Sequence, residues 1–215
     1  MSRIFLILND PLAAGRVRSS LDSAEGLQVV GWATTLAQAD EAIQALKPDL
    51  VLSDLELIDG LFEDFTAELA SKRRYGGPQT MVLAMSLDDG RVMAAMGRGA
   101  DGYFLQNHST KTLAATVLQV LAGGSPMAPA IARQLKTHFD ALAWDHTDFV
   151  GEAQNPLRPS DAERLLLNQI AGGREVEEIA RAMQTGEQVL AQRLRGLYRK
   201  LRFDNSAATL TLNLV

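Results

Sequence analysis

The chain has 215 residues with 21 Lys and Arg against 26 Asp and Glu, a formal charge of −5, and no cysteine. This length suits two domains that each bury a core, and 47% apolar with 22% charged residues excludes wholesale disorder. Lack of cysteine excludes disulfides, thiolate metal sites and cysteine nucleophiles, and the acidic total argues against a nucleic-acid partner.

The N-terminus carries an apolar run of five residues that ends before Asn9. This run is too short for a signal peptide, and no later segment approaches the ~20 apolar residues of a membrane span. We therefore expect a cytoplasmic protein that does not contact a membrane.

Apolar runs alternate with helix-like stretches through residues 1–124. The runs predict strands at 4–8, 28–33, 50–52, 81–85 and 102–105, and the stretches predict helices at 12–21, 36–46, 62–69, 90–96 and 110–121. Continuous apolar runs are typical of strands buried on both faces of a parallel sheet. The alternation predicts an α/β domain with a doubly wound, five-stranded parallel sheet.

Polar residues follow four of these five strands. Asn9 and Asp10 follow the first strand, Asp54 the third, Ser86 the fourth and Gln106 the fifth. Ligands of open α/β sheets bind at this edge. Carboxylate and amide oxygens suit Mg²⁺, and a carboxylate beside the ion can act as a nucleophile toward a phosphoryl group. The alternative, that these are solvated loop residues, is weaker because the positions belong to different strand ends.

Glycines, prolines and a polar stretch interrupt the pattern between the two halves, which predicts domains at 1–124 and 156–215 joined by a linker at 125–155. The first domain has 10 basic and 15 acidic residues, the linker 2 and 4, and the C-terminal domain 9 and 7. The C-terminal domain is therefore net basic, and this restores double-stranded DNA as a partner.

The C-terminal domain is predicted to be small and all-α. Ser160 and Glu163 form a capping-box pattern before an apolar run that stops at Gly172. Helices at 175–183 and 187–201 follow, and the second is basic, which favours a helix-turn-helix over the solvated face of a plain bundle. Arg195, Arg199 and Lys200 are predicted phosphate contacts, with base readout left to Gln188, Gln192 and Arg195.

The first domain resembles the receiver domain of two-component response regulators of the NarL/FixJ class. The resemblance covers residues 3–124 through KPDLVLSDLELIDG (47–60), MVLAMS (81–86) and GADGYFLQ (99–106). It implies a flavodoxin-like receiver in which Asp54 is the phosphoacceptor. Mg²⁺ would be held by Asn9, Asp10, Asp54 and the Glu56 carbonyl. The residues that switch conformation on phosphorylation would be Ser86, Tyr103 and Gln106.

Two departures from the family pattern concern this site. Asn9 stands where the family has an acid, and Gln106 stands where it has a lysine. A carboxylate contributes attraction for Mg²⁺, and charge-assisted hydrogen bonds are about twice as strong as neutral ones. We therefore expect weakened Mg²⁺ binding and a degenerate receiver that is phosphorylated poorly.

The C-terminal domain resembles the LuxR-type helix-turn-helix across residues 162–201, with EEIARAM and LYRKL the most recognisable segments. Two positions that contact DNA in the family hold Ala191 in place of lysine and Arg193 in place of histidine. The resemblance implies a non-enzymatic transcription factor that binds DNA as a homodimer and answers to a sensor histidine kinase, another regulatory protein or a small ligand. The alternative is an adaptor that regulates another protein without binding DNA.

Overall fold

The computed structural model describes residues 1–72, 76–85, 90–106, 112–145 and 158–212. The chain divides into two compact units, Met1–Gly123 and Gly124–Val215. None of the helices in the described ranges combines the length and apolarity that crossing a membrane requires.

The first unit alternates strands and helices, as the sequence predicts. Its strands are β1 (Ser2–Ile7), β2 (Leu27–Ala33), β3 (Leu50–Asp54), β4 (Glu56–Leu57), β5 (Gly60–Leu61), β6 (Gln79–Ala84) and β7 (Gly102–Leu105). Its helices are α1 (Pro11–Asp22), α2 (Leu36–Leu46), α3 (Phe62–Lys72), α4 (Gly90–Arg98) and α5 (Leu113–Leu121).

Five of the strands form one parallel sheet in the order β2-β1-β3-β6-β7, so the predicted fold class is confirmed. The apolar residues of the central strands are buried, because helices cover both faces of the sheet. Residues Leu6, Leu52, Met81 and Val117 belong to one apolar core between the sheet and its helices. Strands β4 and β5 form a separate antiparallel hairpin that the sequence pattern did not predict.

The second unit is helical in the described residues, with α6 (Pro129–Asp145), α7 (Asp161–Ala171), α8 (Val176–Ala182) and α9 (Glu187–Leu212). Helix α6 lies in the span that the sequence predicted as linker. It packs on α7, and the Arg133 guanidinium donates to the Ala171 carbonyl at 2.8 Å, which satisfies an orphan acceptor at the helix end. Helix α9 continues eleven residues beyond its predicted end at Leu201.

The predicted capping box at the start of α7 also connects α7 to α9. The Glu163 carboxylate accepts from the Ser160 N–H at 2.7 Å and from Lys200 Nζ at 2.5 Å. Burial alone would raise the pKa of Glu163, but these hydrogen bonds hold the pKa below its usual value. Gly196 allows the close approach, because a Cβ there would lie 3.2 Å from Glu163 Oε1.

We expect Glu163→Gln to lower the free energy of unfolding of the second unit at pH 7 by about 1–3 kcal/mol, because it leaves the ammonium of Lys200 without its carboxylate. A carboxylate with a lowered pKa stabilises the fold above its unfolded pKa, and this contribution is lost as the pH falls through the folded pKa. The difference between wild type and variant should therefore shrink on acidification.

Urea unfolding followed by the amide NMR signals of α7 and α9 measures this difference at each pH. Glu178→Gln, at an exposed position of α8, is the matched control and should change the free energy of unfolding little. A Glu163→Gln difference that stays constant as the pH falls through the acidic range would contradict the expectation.

Candidate functional site

Asp54 ends the central strand β3 at the carboxyl edge of the sheet, where its side chain is half-buried. Its Oδ2 accepts a hydrogen bond of 2.9 Å from the Asn9 backbone N–H. Burial raises the pKa of Asp54, and the nearby Asp10 charge acts in the same direction while the Asn9 N–H opposes it. The Asp54 carboxyl, for which the resemblance implies the role of phosphoacceptor, therefore holds its proton more readily than a free aspartate.

Asn9 bridges Asp54 and the β4–β5 hairpin. Its backbone binds Asp54, and its side-chain Nδ2 donates to the Glu56 carbonyl at 2.6 Å. The resemblance implies that this carbonyl is a metal ligand. In this structure the Asn9 amide N–H donates to that carbonyl oxygen, so the oxygen already has a hydrogen-bond partner.

Asp10, which the resemblance implies as a direct metal ligand, makes local contacts in this structure. It is the N-cap of α1, with its two carboxylate oxygens accepting from the Leu12 N–H at 2.9 Å and the Ala13 N–H at 3.2 Å. Pro11 occupies the first helical position, and Asp is among the preferred N-cap residues. Local helix capping therefore uses both oxygens that were predicted to face an ion.

The residues at this edge, as arranged, fit Mg²⁺ poorly, because most of the oxygens that would face the ion already accept hydrogen bonds. The ion needs a set of oxygen ligands that are free to turn toward it. One oxygen of Asp54, the Glu56 carbonyl and both oxygens of Asp10 already accept hydrogen bonds. In the described part of the chain, His, Asp and Glu side chains nowhere gather in a group of three that could hold a metal.

The three predicted switch residues lie in different surroundings. Ser86 lies outside the described residues. Tyr103 is buried on β7, with 4% of its surface exposed. Gln106 is exposed directly after β7, and its side chain lines the same cavity of about 260 Å³ as Asp54. The structure therefore brings Gln106 to the phosphoacceptor candidate, while the switch role of Tyr103 and Gln106 stays a prediction.

The hairpin carries two contacts that the sequence analysis missed. Asp59 accepts from the N–H groups of Leu36 and Ala37 at 2.9 and 3.1 Å, and the first of these lowers the pKa of Asp59 most. Glu56 forms an ion pair with Arg91 of α4. The hairpin thereby joins the Asp54 edge to α2 and α4, and its partners are too distant in sequence for a local motif to identify them.

The open face of α9 is the candidate surface of the second unit. Gln188, Gln192, Arg195 and Arg199 recur at spacings of four, three and four residues, which places them on one side of a helix. Arg195 is partly exposed and the other three are exposed. We call these four residues the α9 face; they are the part of the predicted DNA-binding set that the structure presents to solvent.

Two residues of the predicted DNA-binding set, Ala191 and Lys200, are not presented to solvent on the α9 face. Ala191 is only 6% exposed, because it shares the core side of α9 with Leu194 and Tyr198. Lys200 is mostly buried and donates to the Glu163 carboxylate and to the Arg158 carbonyl at 2.9 Å, so its ammonium connects helices within the unit. Arg193 is half-buried beside the α9 face, and its DNA contact stays a prediction.

We expect Asn9→Asp to raise the affinity of the chain for Mg²⁺ by about tenfold or more, because it removes the amide donor from the Glu56 carbonyl and adds a carboxylate oxygen. Isothermal titration with MgCl₂ measures both proteins. Asn9→Ala removes the same amide without adding charge and separates the two effects. Equal Mg²⁺ affinity in wild type and Asn9→Asp would contradict the expectation.

Comparison with known proteins places the whole chain beside transcription regulators. No protein-family model matches it. It is 30% identical over 169 residues to the response regulator protein VraR of Staphylococcus aureus, covering 77% of this chain and 74% of VraR. It is 27% identical over 205 residues to the DNA-binding transcriptional activator DevR/DosR of Mycobacterium tuberculosis, covering 95% of this chain and 90% of DevR/DosR.

A solved structure agrees with the fold. RcsB from Salmonella enterica serovar Typhimurium, bound to promoter P1flhDC, matches with a TM-score of 0.55 and 20% identity, over 93% of this chain and 91% of RcsB. This likeness concerns the fold alone, whereas the identity to VraR shows kinship. From its receiver-type sheet, its C-terminal helices and this kinship, the chain belongs to the NarL/LuxR family of response regulators.

Proposed function

We propose that this response regulator controls transcription by binding double-stranded DNA as a homodimer through the α9 face. The single observation that carries the proposal is the run of two amides and two guanidinium groups along one exposed side of a helix that follows a tight turn. This is the arrangement of a recognition helix, whose polar side enters the major groove while its apolar side packs on the domain.

The four residues of the α9 face suit two kinds of DNA contact, to base edges and to phosphates. Gln188 and Gln192 lie in the first turns of α9, where recognition helices reach base edges, and a glutamine amide can pair with adenine. Arg195 and Arg199 lie further along and suit phosphate oxygens, which position a protein on the duplex without reading sequence. Two such domains in a symmetric dimer would contact two half-sites of a pseudo-palindrome.

The receiver half of the proposal concerns Asp54. We infer that phosphoryl transfer from a sensor histidine kinase through a bound Mg²⁺ is not the main input to this chain. The hydrogen bonds of Asn9 and the capping role of Asp10 support this, since they engage the oxygens that would otherwise surround the ion. Beryllofluoride with MgCl₂ is the direct test, and saturable binding that changes the dimerisation of the full chain would refute the inference.

An adaptor that regulates another protein without contacting DNA is the second candidate. Two findings favour it: Ala191 supplies no cation where the family has lysine, and the ammonium of Lys200 is held by Glu163, so neither position offers a free cation to DNA. The two candidates differ in one measurable property, because only the transcription factor should bind duplex DNA with a strong dependence on salt.

We expect the double variant Arg195→Ala, Arg199→Ala to weaken binding to genomic DNA fragments by about tenfold or more. Each lost phosphate contact should also make the slope of log affinity against log salt shallower by about 0.9. Fluorescence anisotropy across a salt series measures both quantities.

Arg18→Ala, on α1 of the first unit, is the matched control: it removes an exposed arginine of the same type and should leave DNA affinity and slope nearly unchanged. If the wild type binds no fragment, or binds with an affinity that salt does not alter, the adaptor is the better account. If Arg18→Ala loses as much DNA affinity as the double variant Arg195→Ala, Arg199→Ala, the α9 face is not the interface.

A further inference from the structure

A cavity of about 260 Å³ opens beside Asp54, between α1, the strand ends and α5. It is lined by Leu8, Ala13, Arg16, Val17, Ser20, Asp54, Leu83, Phe104, Gln106 and Leu113. Ligand pockets typically measure about 300–1,000 Å³ and are apolar with a few polar groups that orient the ligand. This cavity has that composition and lies just below that size, so its ligand is small.

The cavity wall separates into an apolar body and a polar rim. Leu8 and Leu83 are almost fully buried, and Val17, Phe104 and Leu113 continue the apolar surface. Arg16, Ser20 and Gln106 are exposed and contribute a guanidinium, a hydroxyl and an amide. All three can donate hydrogen bonds, so together they suit an acceptor that carries negative charge.

Arg16 is the cation of this rim, and no carboxylate of the described residues forms an ion pair with it. Its neighbour Arg18 forms an ion pair with Asp22 at 3.3 Å, whereas Arg16 has no carboxylate within ion-pair distance in the part of the chain that is described. The residues one helical turn away from Arg16 on α1 are apolar or serine. Its charge is therefore available to an anion that enters the cavity.

We propose that this cavity binds a small organic monocarboxylate, with the carboxylate on Arg16, Ser20 and Gln106 and a compact apolar body among Leu8, Val17 and Phe104. A guanidinium can bind a carboxylate through two parallel hydrogen bonds. A ligand with a second negative charge, such as a phosphate monoester, is disfavoured because the Asp54 carboxyl shares the cavity. The proposal goes beyond DNA binding and does not depend on it.

Amide NMR titration of the full chain without DNA tests the proposal, with benzoate, 3-phenylpropionate and hexanoate as probes. The neutral analogues benzamide and 3-phenylpropionamide keep the apolar body and remove the charge. We expect at least one carboxylate to bind saturably, to shift the amide signals of α1 and Gln106, and to bind about tenfold more tightly than its amide.

Two variants and a matched control locate the site. Arg16→Gln should weaken carboxylate binding about tenfold, and Ala13→Leu should weaken it by filling the cavity. Arg18→Gln changes the same charge two positions away, outside the cavity lining, and should leave the affinity within about twofold, since it removes no proposed contact.

Three results would overturn the proposal. They are saturable binding by none of the three carboxylates, equal binding of carboxylates and amides, and equal losses in Arg16→Gln and Arg18→Gln. Because the readout requires no DNA, its failure is distinguishable from a failure of the α9 face to bind DNA.

Discussion

The parallel pairing of β1 with β3 is the constraint on which the candidate site depends. The register runs from Ile4 beside Leu50 to Ile7 beside Ser53, so the chain leaving β1 reaches the end of β3 at the level of Asp54. Asn9 consequently binds Asp54 through its backbone and Glu56 through its side chain. A shift of the register by one residue would move Asn9 about 3.3 Å along the strand relative to Asp54 and separate this set.

Residues at this edge of the sheet also connect the strand ends to two helices. Asp10 ends the loop after β1 by capping α1, and Glu56 connects the hairpin to Arg91 of α4. One side of Asp54 therefore faces a network of satisfied hydrogen bonds, while another side faces the cavity with Arg16 and Gln106. The hydrogen-bonded side offers few free oxygens to a hard cation, whereas the cavity side presents the donors of Arg16 and Gln106.

Sequence patterns predicted most of the fold and part of the site. The five parallel strands were found because buried strands read as apolar runs, and the Ser160 capping box was found because caps depend on residues three apart. Helix α6 was missed because prolines and polar residues resemble a linker. Ala191 was expected to face DNA because the family has a lysine at this position, and the structure instead packs it beside Leu194 and Tyr198 on the core side of α9.

On its own, the amino-acid sequence set the alternation of strands and helices, the positions of the helix caps and the polar residues at the strand ends, since each depends on neighbours within a few positions. Only the tertiary structure decided that Asn9 binds Glu56, that Glu56 pairs with Arg91 and that Lys200 forms an ion pair with Glu163. These partners are 47, 35 and 37 residues apart, so their meeting depends on strand order and helix packing. A polar side chain can choose among several partners, and the choice is made by whichever partner the folded backbone brings within hydrogen-bond distance.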